Sequence, residues 1–164
     1  MLKSLRIDNF RCFQNFELKQ LGRINLIVGK NNSGKTSILE FIRLQTSGEN
    51  MIRSGLPLFN SGEDLVAEAK NGVLLVDGID KGLHFTVMPE MWKTIWETSK
   101  RLNVQVFATT HSDDCWKSLG AIASLDNPSE DGIMIHRIEK GKSHSIAFTE
   151  RLVAIAAERG IEVR

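Results

Sequence analysis

The sequence predicts an α/β fold of three layers on a mainly parallel sheet, and three observations lead there. Val73-Leu74-Leu75-Val76 and Val104-Gln105-Val106-Phe107-Ala108 are apolar runs without the alternation of a half-exposed strand, so both read as strands buried on two faces. Between them lies a segment with helical spacing, in which Met88, Met91, Trp92, Ile95, Ser99 and Leu102 share one face. A third apolar run, Ile24-Asn25-Leu26-Ile27-Val28, leads through glycines into another helical segment. Strands alternating with helices need crossovers, right-handed by the general rule, and such sheets take their ligands at the carboxyl ends of the strands.

Leu2, Leu5 and Ile7, separated by polar residues, suggest a first strand, and Phe16-Glu17-Leu18-Lys19 alternates as a second, so a pair of antiparallel strands precedes the run from Ile24. The first helix runs from Lys35 to about Gln45, where Ser47-Gly48-Glu49-Asn50 stops it. Met51 to Leu58 contains Gly55 and Pro57 and little periodicity, and reads as a loop. Gly62 to Lys70 reads as a short helix, because Leu65, Val66 and Ala69 lie at helical spacing. Pro89 suits the first turn of the helix that follows Asp77. Ser112 caps the next one, with Asp113 and Asp114 placed where carboxylates suit the helix dipole. Ile133 to Ile138 and Ser145 to Phe148 flank Lys140-Gly141-Lys142 as a hairpin, and a last helix from about Glu150 to Glu158 ends at Gly160.

Composition bounds the function without naming it. A chain of 164 residues, 41% hydrophobic and 25% charged, is long enough for one core, so residues 1–164 are read as one domain. A net charge of +1 supplies no global field to gather nucleic acid or an anionic membrane, which leaves DNA open. Cys12 and Cys115 have neither a C-x-x-C partner nor ligand spacing and read as reduced thiols. The charged start Met1-Leu2-Lys3-Ser4-Leu5-Arg6 and the lack of any membrane-length apolar run lead to the expectation of a cytoplasmic protein.

The chemistry concentrates in Gly29-Lys30-Asn31-Asn32-Ser33-Gly34-Lys35-Thr36, which fits G-x-x-x-x-G-K-[ST] and sits between a strand and a helix. Glycines at both ends let the backbone wrap a triphosphate, so that amide N–H groups of the segment Gly29, Asn31, Asn32, Ser33, Gly34, Lys35, Thr36 and Ser37 point inward at the helix's positive end. Lys35 is then expected at the β- and γ-phosphates, and the Thr36 hydroxyl on magnesium. Asp77 ends a buried strand, a costly place for a carboxylate unless something satisfies it, and magnesium is the candidate. Phe107-Ala108-Thr109-Thr110-His111-Ser112 brings polar groups to the end of the following strand, where His111 could meet the γ-phosphate or orient water. The fold class expected is accordingly that of a P-loop NTPase.

Ile7-Asp8-Asn9-Phe10-Arg11-Cys12-Phe13 followed by Leu26 to Glu40 resembles the opening of ABC-type ATPases of the RecF, SMC and overcoming-lysogenisation-defect kind. Gly72 to His84 and Phe107 to Ser112 resemble the Walker B/D-loop and H-loop segments of the same group, in the same order. The resemblance implies ATP held between two head domains, with Lys35, Thr36, Asp77 and His111 in the family's roles, the D-loop at Asp80-Lys81-Gly82-Leu83-His84, and Arg11 near the phosphates or ribose. It also implies a homodimer or a partner subunit such as a nuclease.

Three departures from that pattern bear on activity. The family's glutamate after the Walker B aspartate is replaced by Gly78, so a general base is missing unless Asp80 or His111 substitutes. The long arm between Walker A and Walker B is reduced to the segment from Phe41 to Asn71, and Gln45 reads as a helix residue, not as the glutamine that helps hold magnesium. The signature loop has one candidate, Asn60-Ser61-Gly62-Glu63-Asp64, whose two acids face phosphate unfavourably. The expectation is a magnesium-dependent ATP-binding mini-ATPase with weak or vestigial hydrolysis; the alternatives are a nucleotide-holding regulatory or structural module and, less favoured for want of a cationic lid beyond Lys100-Arg101, a small kinase.

Overall fold

The structure, a computed structural model, describes residues 1–46, the backbone of 51–54, and residues 72–123 and 132–163. The expected helix at Gly62 to Lys70 and the Asn60 to Asp64 loop lie outside the described residues.

Two strands at the start, β1 (Leu5–Phe10) and β2 (Phe13–Leu18), pair antiparallel as a sheet of their own. Leu2 stands outside the strand expected to contain it: its N–H donates to Gln105 Oε1 at 2.8 Å and its carbonyl accepts from Gln105 Nε2 at 2.9 Å. The main sheet has the order β4-β5-β6-β3-β7-β8, built from β3 (Ile24–Val28), β4 (Met51–Ser54), β5 (Val73–Val76), β6 (Gln105–Thr109), β7 (Ile133–Arg137) and β8 (Ile146–Thr149). Every pairing in it is parallel except β7 with β8. Residues 51–54, read from sequence as part of a loop, form the edge strand β4 on β5. Their sequence lacks a strand's pattern because the order comes from the neighbouring ladder.

Helices α1 (Lys35–Gln45), α2 (Met88–Leu102), α3 (Asp113–Ala123) and α4 (Glu150–Arg159) complete the layers. Side chains of β3, β5 and β6 alternate between two apolar clusters, as period-two geometry requires. Leu26, Leu74 and Val106 join Trp92, Trp116 and Val153 on one face, the side of α2, α3 and α4. Ile27, Leu75 and Phe107 join Ile38 and Ile42 of α1 and Phe16 of the N-terminal pair on the other. The sheet is therefore buried on both faces, which is why β3 and β6 carry no exposed residue. Asn25 is tolerated inside β3 because its side chain accepts from Gly22 N–H at 2.9 Å and donates to the Gly22 carbonyl at 2.8 Å.

The caps follow the sequence. Ser112 Oγ accepts from the Cys115 N–H at 3.3 Å at the start of α3, and Gly160 closes α4. Parallel order brings the carboxyl ends of β3, β5 and β6 to one edge, and the phosphate-loop motif leaves from that edge.

Candidate functional site

The turn between β3 and α1 is fixed by its own backbone. Ser33 N–H donates to the Lys30 carbonyl at 3.3 Å, and Gly34 holds φ of 100° at the helix entrance. A side chain at Gly34 would place its Cβ 2.5 Å from the Phe13 ring and 2.8 Å from Cys12 Sγ. Glycine is thus required there twice, by the backbone angle and by the close approach of the hairpin tip.

The loop borders a cavity of about 370 Å³ whose lining includes Asn31, Asn32, Ser33, Gly34, Lys35, Thr36 and Ser37 from the loop and helix start. Asp77, Gly78 and Lys81 enter from the end of β5, and Thr109 and His111 from the end of β6. Parallel pairing explains the meeting: Val76 lies opposite Ala108, so Asp77 comes level with Thr109. Lys35 is buried, and its Nζ donates to the Gly29 and Lys30 carbonyls at 2.8 Å each. Burial pulls its proton affinity down while the Asp77 carboxylate pushes it back up. The Thr36 hydroxyl lies 3.3 Å from both oxygens of Asp77.

Behind this pair two consecutive threonines each hold an aspartate. Thr109 Oγ1 donates to Asp77 Oδ1 at 2.6 Å and accepts the Gly78 N–H at 2.8 Å. Thr110 Oγ1 donates to Asp80 Oδ1 at 2.6 Å and accepts the Ser112 N–H at 3.0 Å. Asp80 is engaged in that second chain and is not among the cavity's lining residues. His111 does line the cavity; burial first, then the positive field of Lys35, lowers its proton affinity, with Lys81 adding to the effect and Asp80 and Asp77 opposing it. Arg11 lies outside the lining, its Nε 3.3 Å from Glu40 Oε2 on α1.

Sequence reasoning singled out the loop, Asp77 and His111; it named Thr109 only within the polar cluster ending its strand and Lys81 only within the expected D-loop, and gave neither a role of its own. Thr109 had a signal, since a threonine at the C-terminal end of a buried strand beside an aspartate-ended one faces that aspartate. Lys81 had none, because the path of its side chain depends on the turn at Gly78.

A second hollow, of about 580 Å³, lies on the other side of Asn32 and Ser33 between the hairpin tip at Cys12 and Phe13 and the turn at Lys140 to Ser143. Among the described residues no helix is long and apolar enough to cross a membrane.

Comparison with known proteins agrees with this architecture. A family model described as an AAA ATPase domain matches residues 1–54. A DNA replication and repair protein RecF of Clostridioides difficile (strain 630) is 32% identical over 117 residues, covering 65% of this chain and 31% of that protein. An uncharacterised protein of Methanocaldococcus jannaschii is 42% identical over 59 residues, 36% of this chain and 25% of the relative. The chain thus spans about a quarter to a third of the length of these two relatives. The SMC head domain from Thermotoga maritima aligns with a TM-score of 0.56 at 12% identity, over 90% of this chain and 98% of the head, a likeness of fold.

Proposed function

We propose that this chain is a RecF/SMC-like ABC-type ATPase head with a shortened stretch between its phosphate loop and Asp77, and that it binds magnesium-ATP in the cavity at the phosphate loop and turns it over slowly or not at all. The observation that carries the reading is the Thr36 hydroxyl lying 3.3 Å from both Asp77 oxygens, from positions 41 residues apart in sequence. A hydroxyl and a carboxylate so paired beside a phosphate loop are an oxygen set suited to a hard divalent cation. Magnesium, when bound, neutralises charge on the phosphate oxygens.

The chain's own groups divide the remaining work. The backbone N–H groups offered to the polyphosphate are those at the start of α1, from Gly34 to Ser37, since the Lys30 carbonyl already holds the Ser33 N–H. Lys35 exchanges its two carbonyl partners for phosphate oxygens, a change that keeps a buried ammonium satisfied. Thr109 fixes the Asp77 carboxylate, and His111, whose proton affinity burial and Lys35 lower, faces the cavity where it would orient a water. The nucleoside end fits the adjoining hollow beside Cys12, close to which Arg11 stands with Glu40. Asp80 is the remaining candidate base; its bond from Thr110 ties it to the wall behind the cavity, which favours slow hydrolysis.

A nucleotide-holding module without turnover is the second reading, favoured by Gly78 where the family carries a carboxylate. By analogy with the group, a nucleotide-dependent homodimer or a partner such as a nuclease in the cytoplasm is part of the proposal, with DNA contact left to that partner. Phosphate release and calorimetry with magnesium-ATP on the intact chain and on Lys35→Ala test it. Binding that weakens at least a hundredfold in the variant supports the site; equal binding by both proteins refutes it. Sustained release lost in Lys35→Ala selects the enzyme over the module.

A further inference from the structure

Gly78 adopts φ of 69°, and a Cβ built on it would lie 2.3 Å from Lys81 Cε, 2.6 Å from Cδ and 2.8 Å from Nζ. The stem of Lys81 therefore crosses the space in which any side chain at position 78 would stand. The turn holds this arrangement in place, since Lys81 N–H donates to the Gly78 carbonyl at 3.0 Å and Gly78 N–H is bound by Thr109. Lys81 is itself exposed, yet it lines the same cavity as Lys35 and His111. Among the described residues its ammonium is in no ion pair. A cation thus projects beside Asp77 at the place where a base would have to sit.

We propose that Lys81, folded over Gly78, is a second cationic ligand for the terminal phosphate of the bound nucleotide, so that the site is built to grip a triphosphate tail and to discriminate it from a diphosphate. The inference rests on the nucleotide reading above and deepens it. Gly78 and Lys81 act as a pair: the missing side chain makes room, and the lysine fills it. An ammonium in that position attracts the anion and, having donors but no lone pair, cannot act as a base toward water. It also adds to the positive field that, after burial, lowers the proton affinity of His111. Lys35 is the ligand nearer the loop and contributes to di- and triphosphate alike, whereas Lys81 reaches in from the opposite wall and meets only the outermost phosphate.

The test is titration calorimetry with magnesium plus either ADP or a non-hydrolysable ATP analogue, on the parent chain, Lys81→Gln and Lys81→Arg. An ion-assisted bond to phosphate corresponds to about tenfold in affinity. Lys81→Gln is expected to lose about tenfold for the triphosphate and less than twofold for ADP, and Lys81→Arg, which keeps the charge, to retain most of the preference. Because Lys81 is exposed, the melting temperature of each variant should match the parent and exclude misfolding as the cause. Unchanged triphosphate affinity in Lys81→Gln, or an equal loss for both nucleotides, overturns the role of Lys81 while leaving the nucleotide site standing. A parent chain that takes up neither nucleotide overturns the site itself and Lys81 with it.

Discussion

Replacing Thr109 by valine tests whether the wall behind the cavity is held by hydrogen bonds or by packing alone. Thr109 is 2% exposed, and valine matches its shape and its strand preference, so only the hydroxyl is lost. That hydroxyl serves two partners: it donates to Asp77 Oδ1 at 2.6 Å and accepts the buried Gly78 N–H at 2.8 Å. Stranding a buried N–H costs about 1–3 kcal/mol. The lost bond to Asp77 adds about 1 kcal/mol, kept small because the half-buried carboxylate can turn to water instead. The sum of about 2–4 kcal/mol corresponds to a fall in melting temperature of roughly 5–12 °C for a chain of this size. Thermal unfolding followed by far-UV circular dichroism, without nucleotide, measures it, and Thr109→Ser, which restores both bonds, should lie close to the parent. A Thr109→Val protein melting within about 2 °C of the parent would refute the reasoning.

Two further substitutions examine other parts of the fold. Gly34→Ala forces a side chain into a left-handed backbone and against Phe13, and should lower stability by about 2–4 kcal/mol in urea titrations; an unchanged midpoint speaks against the tight contact of hairpin and loop. His136 lies fully buried in β7, where burial pushes its pKa down to about 4. The unfolded chain, with an ordinary value near 6.5, binds the proton more readily between those limits. Stability from His136 is therefore present above pH 6.5 and is lost as pH falls from there to about 4, by about 3 kcal/mol. His136→Phe should flatten that limb in urea titrations run across the window, and an acid slope identical to the parent's excludes the assignment.

How far the sequence could be read depended on which interactions set each feature. The strand, loop and helix from Ile24 to Gln45 were legible because local pattern and local chemistry coincide there. Val73 to Val76 and Gln105 to Thr109 were legible as doubly buried strands because both faces of the sheet are covered. Residues 51–54 were not, since an edge strand with so little pattern owes its order to β5 alongside it. Strand order was hidden too: β3 sits between β6 and β7, a fact of tertiary packing. The cavity's loop side was read residue by residue, and Asp77 and His111 with it, whereas the parts played by Thr109 and Lys81 were not, because Thr109 acts through cross-strand register and Lys81 through a turn conformation.

The placement of the aromatic residues has an optical consequence. The chain has three tryptophans and no tyrosine, and Trp92, Trp96 and Trp116 all belong to α2 and α3, on one face of the main sheet. The opposite layer, with the phosphate loop's helix and the hairpin, carries phenylalanine instead, at positions such as 13, 16 and 107. Emission excited at long ultraviolet wavelengths is consequently a one-sided gauge: it registers loosening of the α2–α3 layer and is nearly blind to fraying of the other. A probe attached at exposed Cys12, beside Gly34, would illuminate the dark half.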